Sequence, residues 1–249
     1  MFDINKLIYR LTMNNKIKYE MLLLVLIIIV IFNTTIILNS NDVDTSKNGY
    51  NITAIGSNEN GTVYKVVAGN MSSDETVGII LGVHPREHEI HDAINKTIHN
   101  ITGENGTNNL TKKYVIYFIK THDNLTSRED TRPAGETLAN KFIVPNIKSD
   151  NPFIVVDVHE IDPNYEYSNF IFSISKNSTK INSYLEKLSS DVNLVNYQFD
   201  EGTSPEKVTK PIANQGINTL LMETSIQNSL SEKQKTAENL IQCLDQLKP

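Results

Sequence analysis

Cysteine is nearly absent from this 249-residue chain: Cys243 stands alone, so no intrachain disulfide can form and no cysteine-based zinc site can be built. It lies in an apolar-periodic C-terminal stretch and reads as a core thiol. Long runs of Lys or Arg are also missing, and the formal net charge is -6. Nucleic acid is thereby excluded as a partner, because phosphate binding needs a concentrated basic surface. No internal repeat or low-complexity tract interrupts the chain. The most informative absence is of charge. From Met21 to Leu38 the sequence MLLLVLIIIVIFNTTIIL contains no Asp, Glu, Lys or Arg, over a length close to the about 17 to 25 residues a bilayer-crossing helix needs. The run is apolar on every face rather than on one stripe, which reads as a transmembrane helix and not a core helix. The twenty residues before it are unusually long for the n-region of a signal peptide, and NSNDVDTS after it offers no small-x-small cleavage pattern, so it reads as an uncleaved signal-anchor. Lys6, Arg10, Lys16 and Lys18 precede the span, while Asp42 and Asp44 follow it. By the positive-inside rule, residues 1–20 are cytoplasmic, 21–38 span the cell membrane once, and the rest of the chain is outside.

Asn-x-Ser/Thr sequons beyond the span, at Asn51, Asn60, Asn70, Asn95, Asn100, Asn105, Asn109, Asn124 and Asn177, agree with that orientation. They carry slight weight, because an Asn-rich composition produces them by chance. Residues 39–60 are polar and lack an apolar period, the composition of a linker. Residues 61–249 are then one domain, long enough to bury a single core. Apolar runs predict strands at Thr62–Val67, Val77–Val83, Tyr114–Lys120, Phe153–Val158, Phe170–Ile174 and Asn218–Met222. Helical patterns fall at His88–Asn100, Thr179–Val192 and Ser231–Leu247, with Ser231 as N-cap. The alternation predicts an α/β fold: a mostly parallel mixed sheet covered by helices on both faces, with functional residues just past the carboxyl ends of strands.

Three strand ends carry chemistry. GIILGVHPREHE leaves a buried strand through Gly82 and sets His84 and Glu87 three residues apart at the start of a helix, where an imidazole and a carboxylate can converge on one metal ion. PFIVVDVHE ends another strand in Asp157 and His159, which brings a third ligand to the same edge. GINTLLMETS ends a third in Glu223, with no basic neighbour in sequence to neutralise it, where a general base could stand.

These residues resemble the zinc carboxypeptidases and their relatives, the succinylglutamate desuccinylase and aspartoacylase group. His84 and Glu87 are similar to that family's His-x-x-Glu element, Asp157 and His159 to its Asp-x-His element, and Glu223 to its late catalytic Glu. The resemblance spans roughly Gly82 to Ser225. It implies one zinc ion held by His84, Glu87 and His159, with Glu223 as the base that takes a proton from water and passes it to the leaving nitrogen. Within TRPAGETLANKF it implies that Arg132 stabilises an oxyanion and that Asn140 and Lys141 bind an acidic group of the substrate. Lys141 supplies a point charge where the family has the bidentate fork of an arginine. The implied substrate is a peptide or an N-acyl amino acid, and the implied activity that of a carboxypeptidase or deacylase. Two alternatives stay open: a catalytically silent surface-binding module with the same fold, and an inverted zincin in which His84, Glu87 and His88 form His-x-x-Glu-His.

Overall fold

A computed structural model describes residues 49–103, 105–175, 178–199 and 203–249 of the chain. Its strands are β1 (Tyr50–Asn58), β2 (Gly61–Gly69), β3 (Thr76–Leu81), β4 (Lys113–Thr121), β5 (Pro152–Ile161), β6 (Phe170–Ser173), β7 (Val195–Asn196) and β8 (Asn218–Ser225). They pair into one sheet in the order β1-β2-β4-β3-β5-β8-β6-β7. The middle of the sheet, β4-β3-β5-β8, is parallel. β1 and β2 join one side antiparallel, and β6 runs antiparallel to β8 on the other. The expected mixed α/β sheet is therefore present. Every position of β3 is buried and almost every position of β5 and β8, the signature of strands covered on both faces.

Helices supply both covers. On one face lie α1 (His88–Thr102), α3 (Thr179–Val192) and α5 (Leu230–Gln246). Their Ile94, Leu188 and Leu240 pack with Ile79, Val156 and Met222 of the strands. On the other lie α2 (Arg128–Leu138), the short α4 (Lys210–Ala213) and two π-helical turns, Ala139–Ile143 and Pro205–Thr209. There Leu138, Ile143, Val208 and Ile212 pack on Ile80 and Val155. Each of these fully buried aliphatic side chains contributes about 1.5 to 3 kcal/mol from the water it leaves. Cys243 is a buried free thiol in the first of these cores, and burial, with Asp191 nearby, pushes its pKa up to about 12.

Three differences from the sequence reading have local causes. The polar stretch 39–60 does not run as linker to its end, because Tyr50–Asn58 forms β1, an edge strand half open to solvent that pairs with β2 through a tight turn. An edge strand needs little apolar character, so nothing in its composition separates it from linker. α5 begins earlier than expected, since Ser229 and not Ser231 is the N-cap: the Glu232 N–H donates to Ser229 Oγ at 3.3 Å while the Ser229 N–H donates to Glu232 Oε2 at 2.7 Å. That reciprocal pair satisfies two otherwise orphaned amides. α2 was hidden by Pro133, which removes one intrahelical donor. Glu129 and Pro133 both lie on the exposed side of α2, so the freed carbonyl is open to solvent, and Ser127 caps the start by accepting from the Asp130 N–H at 3.0 Å. The proposed membrane span at Met21–Leu38 lies outside the described residues; among the described residues no helix is long and apolar enough to cross a membrane.

Two glycines fix the approach of these layers near the carboxyl edge. Gly82 turns the chain out of β3 at φ +82, a left-handed conformation that side chains resist, and a Cβ there would lie 2.4 Å from the Ile119 carbonyl oxygen. Gly135 lets α2 rest on the same turn, since its Cβ would lie 2.2 Å from the Val83 carbonyl oxygen. Alanine is the better helix former by about 1 kcal/mol, yet Gly135→Ala is expected to destabilise the fold by about 1 to 3 kcal/mol through overpacking. Urea unfolding measures this; an unchanged or higher midpoint would show that the contact is slack.

Candidate metal centre

The parallel register carries three reactive side chains to one edge. His159 on β5 is the direct partner of Glu223 on β8, and Asp157 sits opposite Ile80 on β3. β3 ends at Leu81, and the Gly82 turn then delivers His84 and, just before α1, Glu87. His84, Glu87 and His159 are all buried, and one ligand atom from each lies within 4.8 Å of the other two. His84 Nδ1 is 3.0 Å from Glu87 Oε1. His159 Nδ1 is 3.0 Å from Glu87 Oε2 and 3.1 Å from His84 Nδ1. Two imidazole nitrogens and a carboxylate thus face one point.

The outward nitrogen of each ring is held by a carboxylate. His159 Nε2 is 3.1 Å from Asp157 Oδ1 and 3.3 Å from Ser204 Oγ; the Thr209 hydroxyl donates to Asp157 Oδ2 at 2.7 Å. His84 Nε2 is 3.3 Å from Glu136 Oε1, and the other oxygen of Glu136 is 2.6 Å from Lys207 Nζ. Thr203 also donates to Glu136. Carboxylates in this place fix the ring orientation and leave Nδ1 as the electron-pair donor, the usual support of a metal-binding histidine. The donor set therefore fits a divalent cation of the zinc type, two nitrogens and one oxygen with room for a fourth ligand.

Charge balance agrees. Glu87, Glu136, Asp157 and Glu223 meet here, while the cations in contact are Arg132, 3.8 Å from Glu87 Oε1, and Lys207. Burying unmatched carboxylates costs several kcal/mol each, a cost that a cation placed between them would offset. Burial alone would raise Glu87, but hydrogen bonds to His159 and His84 hold it far below the ordinary carboxylate range. The same contest at Glu136, with His84, Lys207 and Thr203 outweighing burial, leaves it at about 2. Burial opposes protonation of His159, yet Asp157 and Glu87 raise its pKa well above the ordinary imidazole value. Glu223 goes the other way: burial, with the charges of Glu87 and Asp157 outweighing His159 and Arg132, pushes it up to about 8. Its Oε2 is buried without a hydrogen-bond partner.

A cleft of about 1090 Å³ opens over these groups, lined among others by His84, Glu87, His159, Glu223, Arg132 and Tyr165. Arg132 reaches it from α2. Asn140 and Lys141 do not belong to its lining: Asn140 donates to the Lys207 carbonyl at 2.7 Å, and the Lys141 ammonium lies 5.2 Å from the Phe142 ring centroid. Both fall in a π-helical turn beyond α2, which carries them past the cleft. The cations of the cleft wall are instead Arg86, Arg128 and Arg132. His88 is on the outside of α1, its side chain 64% exposed beside Asp92, so the inverted-zincin arrangement lacks its second histidine. His91 is buried and its Nε2–H donates to the Val158 carbonyl at 2.8 Å, while burial lowers its pKa to about 4. Glu136, Ser204 and Thr209 were not apparent in the sequence. Glu136 stands one helical turn after Arg132, a spacing that becomes visible only once α2 is recognised.

No protein-family model matches the sequence, and no curated protein matches it either. Solved structures do match in shape. A metallo-carboxypeptidase from Burkholderia cenocepacia superposes with a TM-score of 0.56 at 10% identity, over 82% of this chain and 65% of that one. A metallo-carboxypeptidase from Pseudomonas aeruginosa, in complex with (2-guanidinoethylmercapto)succinic acid, gives 0.51 at 9% identity, over 78% of this chain and 64% of that one. A candidate metallopeptidase from Shewanella baltica gives 0.54 at 11% identity, over 88% of this chain and 92% of that one. The chain spans about two thirds of the length of the two carboxypeptidases. These superpositions show that the chain shares its fold with metallo-carboxypeptidases and metallopeptidases.

Proposed function

We propose that the chain is a membrane-anchored, zinc-dependent amide hydrolase of the carboxypeptidase or deacylase type. The observation that carries this reading is the convergence of His84, Glu87 and His159 beneath a cleft that also exposes Glu223 and Arg132. One zinc ion bound by the three would supply Lewis acidity, which lowers the pKa of water to about 7 and polarises a scissile carbonyl. Glu223 takes the proton from the attacking water and returns it to the leaving nitrogen; a carboxylate pushed upward by burial is suited to both halves of that transfer. Arg132 faces the same space and stabilises the negative charge that develops on the carbonyl oxygen. Asp157 and Glu136 keep His159 and His84 oriented throughout.

The substrate in this reading is a peptide or an N-acyl amino acid. Its acidic group meets the arginines of the cleft wall, Arg128 beside Arg132, in the role first assigned to Asn140 and Lys141. Anchoring by residues 21–38, with residues 1–20 inside and the hydrolase outside the cell, rests on the sequence: an uncharged span with basic residues before it and acidic residues after it.

Glu223→Gln is expected to retain zinc and to lose turnover by about 10²- to 10⁴-fold, the contribution of a general base. Elemental analysis together with hydrolysis of N-acyl amino acids and C-terminally blocked or free peptides checks both halves; undiminished turnover would remove Glu223 from the mechanism. His159→Ala is expected to purify with little or no zinc where the wild type is near one ion per chain. Zinc that survives this change would place the metal elsewhere. Protease added to intact cells is expected to cut the domain but spare an epitope fused to Met1, and the reverse pattern would overturn the orientation.

A further inference from the structure

Lys233 is buried to 1% exposure, and no step of the proposed hydrolysis uses it. An ammonium taken out of water is costly unless it is fully paired, and well-packed apolar side chains serve stability as well or better. Its partners show what else it does. Lys233 Nζ lies 2.7 Å from Glu160 Oε1, with both side chains at 2% exposure or less. It also pairs with Glu89 and donates to the Ile226 carbonyl at 3.2 Å. Glu160 directly follows His159 on β5, Glu89 lies two residues past Glu87 at the start of α1, and Ile226 follows the end of β8, three residues past Glu223. One ammonium near the start of α5 therefore holds all three segments that present the metal cluster and the base.

The clamp matters most for Glu87. It occupies the N-cap position of α1 without capping it, because its carboxylate is turned into the cluster. The Glu160 N–H fixes that carboxylate by donating to Glu87 Oε2 at 3.2 Å. The position of the Glu160 backbone relative to α1 thus decides where Glu87 stands. We propose that Lys233 is a positioning residue for the metal centre: by drawing Glu160 of β5 and Glu89 of α1 onto one buried ammonium, it sets the distance between His159 and Glu87. This rests on the metal-site reading above and adds a residue from outside the cleft, on a helix that bears none of the ligands.

The test uses the full chain and two probes, zinc affinity by chelator competition and the visible absorption of the Co²⁺-substituted protein, which reports ligand geometry. The double variant Lys233→Met/Glu160→Gln removes the pair without stranding a buried charge. It is expected to fold, to bind zinc at least about 10-fold more weakly, as loss of an outer support of a metal site does, and to show an altered Co²⁺ spectrum. Leu240→Ala, in the buried core of the same helix, is the control: it is expected to lower the unfolding midpoint while both metal readouts stay at wild-type values. If the double variant fails to fold, Glu89→Gln, whose side chain is 40% exposed, serves in its place, with a several-fold weaker zinc affinity expected. A folded double variant, or failing that Glu89→Gln, with wild-type affinity and spectrum would overturn the positioning role and leave the metal site intact. A metal loss in Leu240→Ala equal to that of the double variant would also overturn it. Wild-type protein that binds no zinc would instead overturn the metal-site reading, and this role with it.

Discussion

The contest between carboxylate charge and burial at the carboxyl edge of the sheet governs this molecule. Glu87, Glu136, Asp157 and Glu223 are brought into one partly dry space, where each needs a partner or a proton. Glu87 and Glu136 are matched by imidazole, guanidinium or ammonium groups and fall; Glu223 lacks such a close partner and rises. The same strain that makes the cluster expensive favours a cation at its centre and lifts Glu223 toward neutrality. A second layer compensates the first: hydroxyls of Ser204 and Thr209 serve Asp157, and Lys207 serves Glu136.

The packing serves this edge as much as it serves stability. Gly82 and Gly135 allow the strand-to-helix turn and α2 to come together closely, which is how one short helix supplies both Arg132 above the cluster and Glu136 behind it. On the opposite face, His91 ties α1 to the backbone of β5 beside His159. The ligand-bearing turn is therefore gripped from both sides of the sheet, by a helix that contributes to the cleft and by one that does not. Sites built on packed elements in this way hold their geometry better than sites on free loops.

Much of this was legible in the sequence, for a physical reason. Fully buried parallel strands are continuous apolar runs, and β3, β5 and β8 announce themselves in that way, each with a polar residue where the run ends. His84, Glu87, His159 and Glu223 could thus be named before any coordinates. β1 could not be seen because an edge strand needs no core-facing run, and α2 could not because Pro133 masks a helix whose freed carbonyl water can satisfy. Missing α2 had a further effect. Without its register there was no way to tell that Asn140 and Lys141 lie about two turns past Arg132, outside the cleft lining, or that Glu136 lies behind His84. The supports Ser204 and Thr209 come from the residue before a π-helical turn and from its last position, a conformation for which residue type gives hardly any signal.

The place of β8 in the sheet has a consequence for how the protein is made. β8 is the last strand in the sequence, yet it lies between β5 and β6, with His159 and Glu223 as register partners. A chain emerging from the ribosome completes β5 and β6 well before β8 exists, so a slot two hydrogen-bonding edges wide must stay open until Asn218–Ser225 arrive. Contacts so distant in sequence form slowly, and unpaired edges invite other chains meanwhile. The nascent chain is thus vulnerable during this interval. Glu223 of β8, and α5 behind the cluster, join only after His84, Glu87 and His159 have been made, so a chain stopped before β8 would carry that cluster without the carboxylate that faces it.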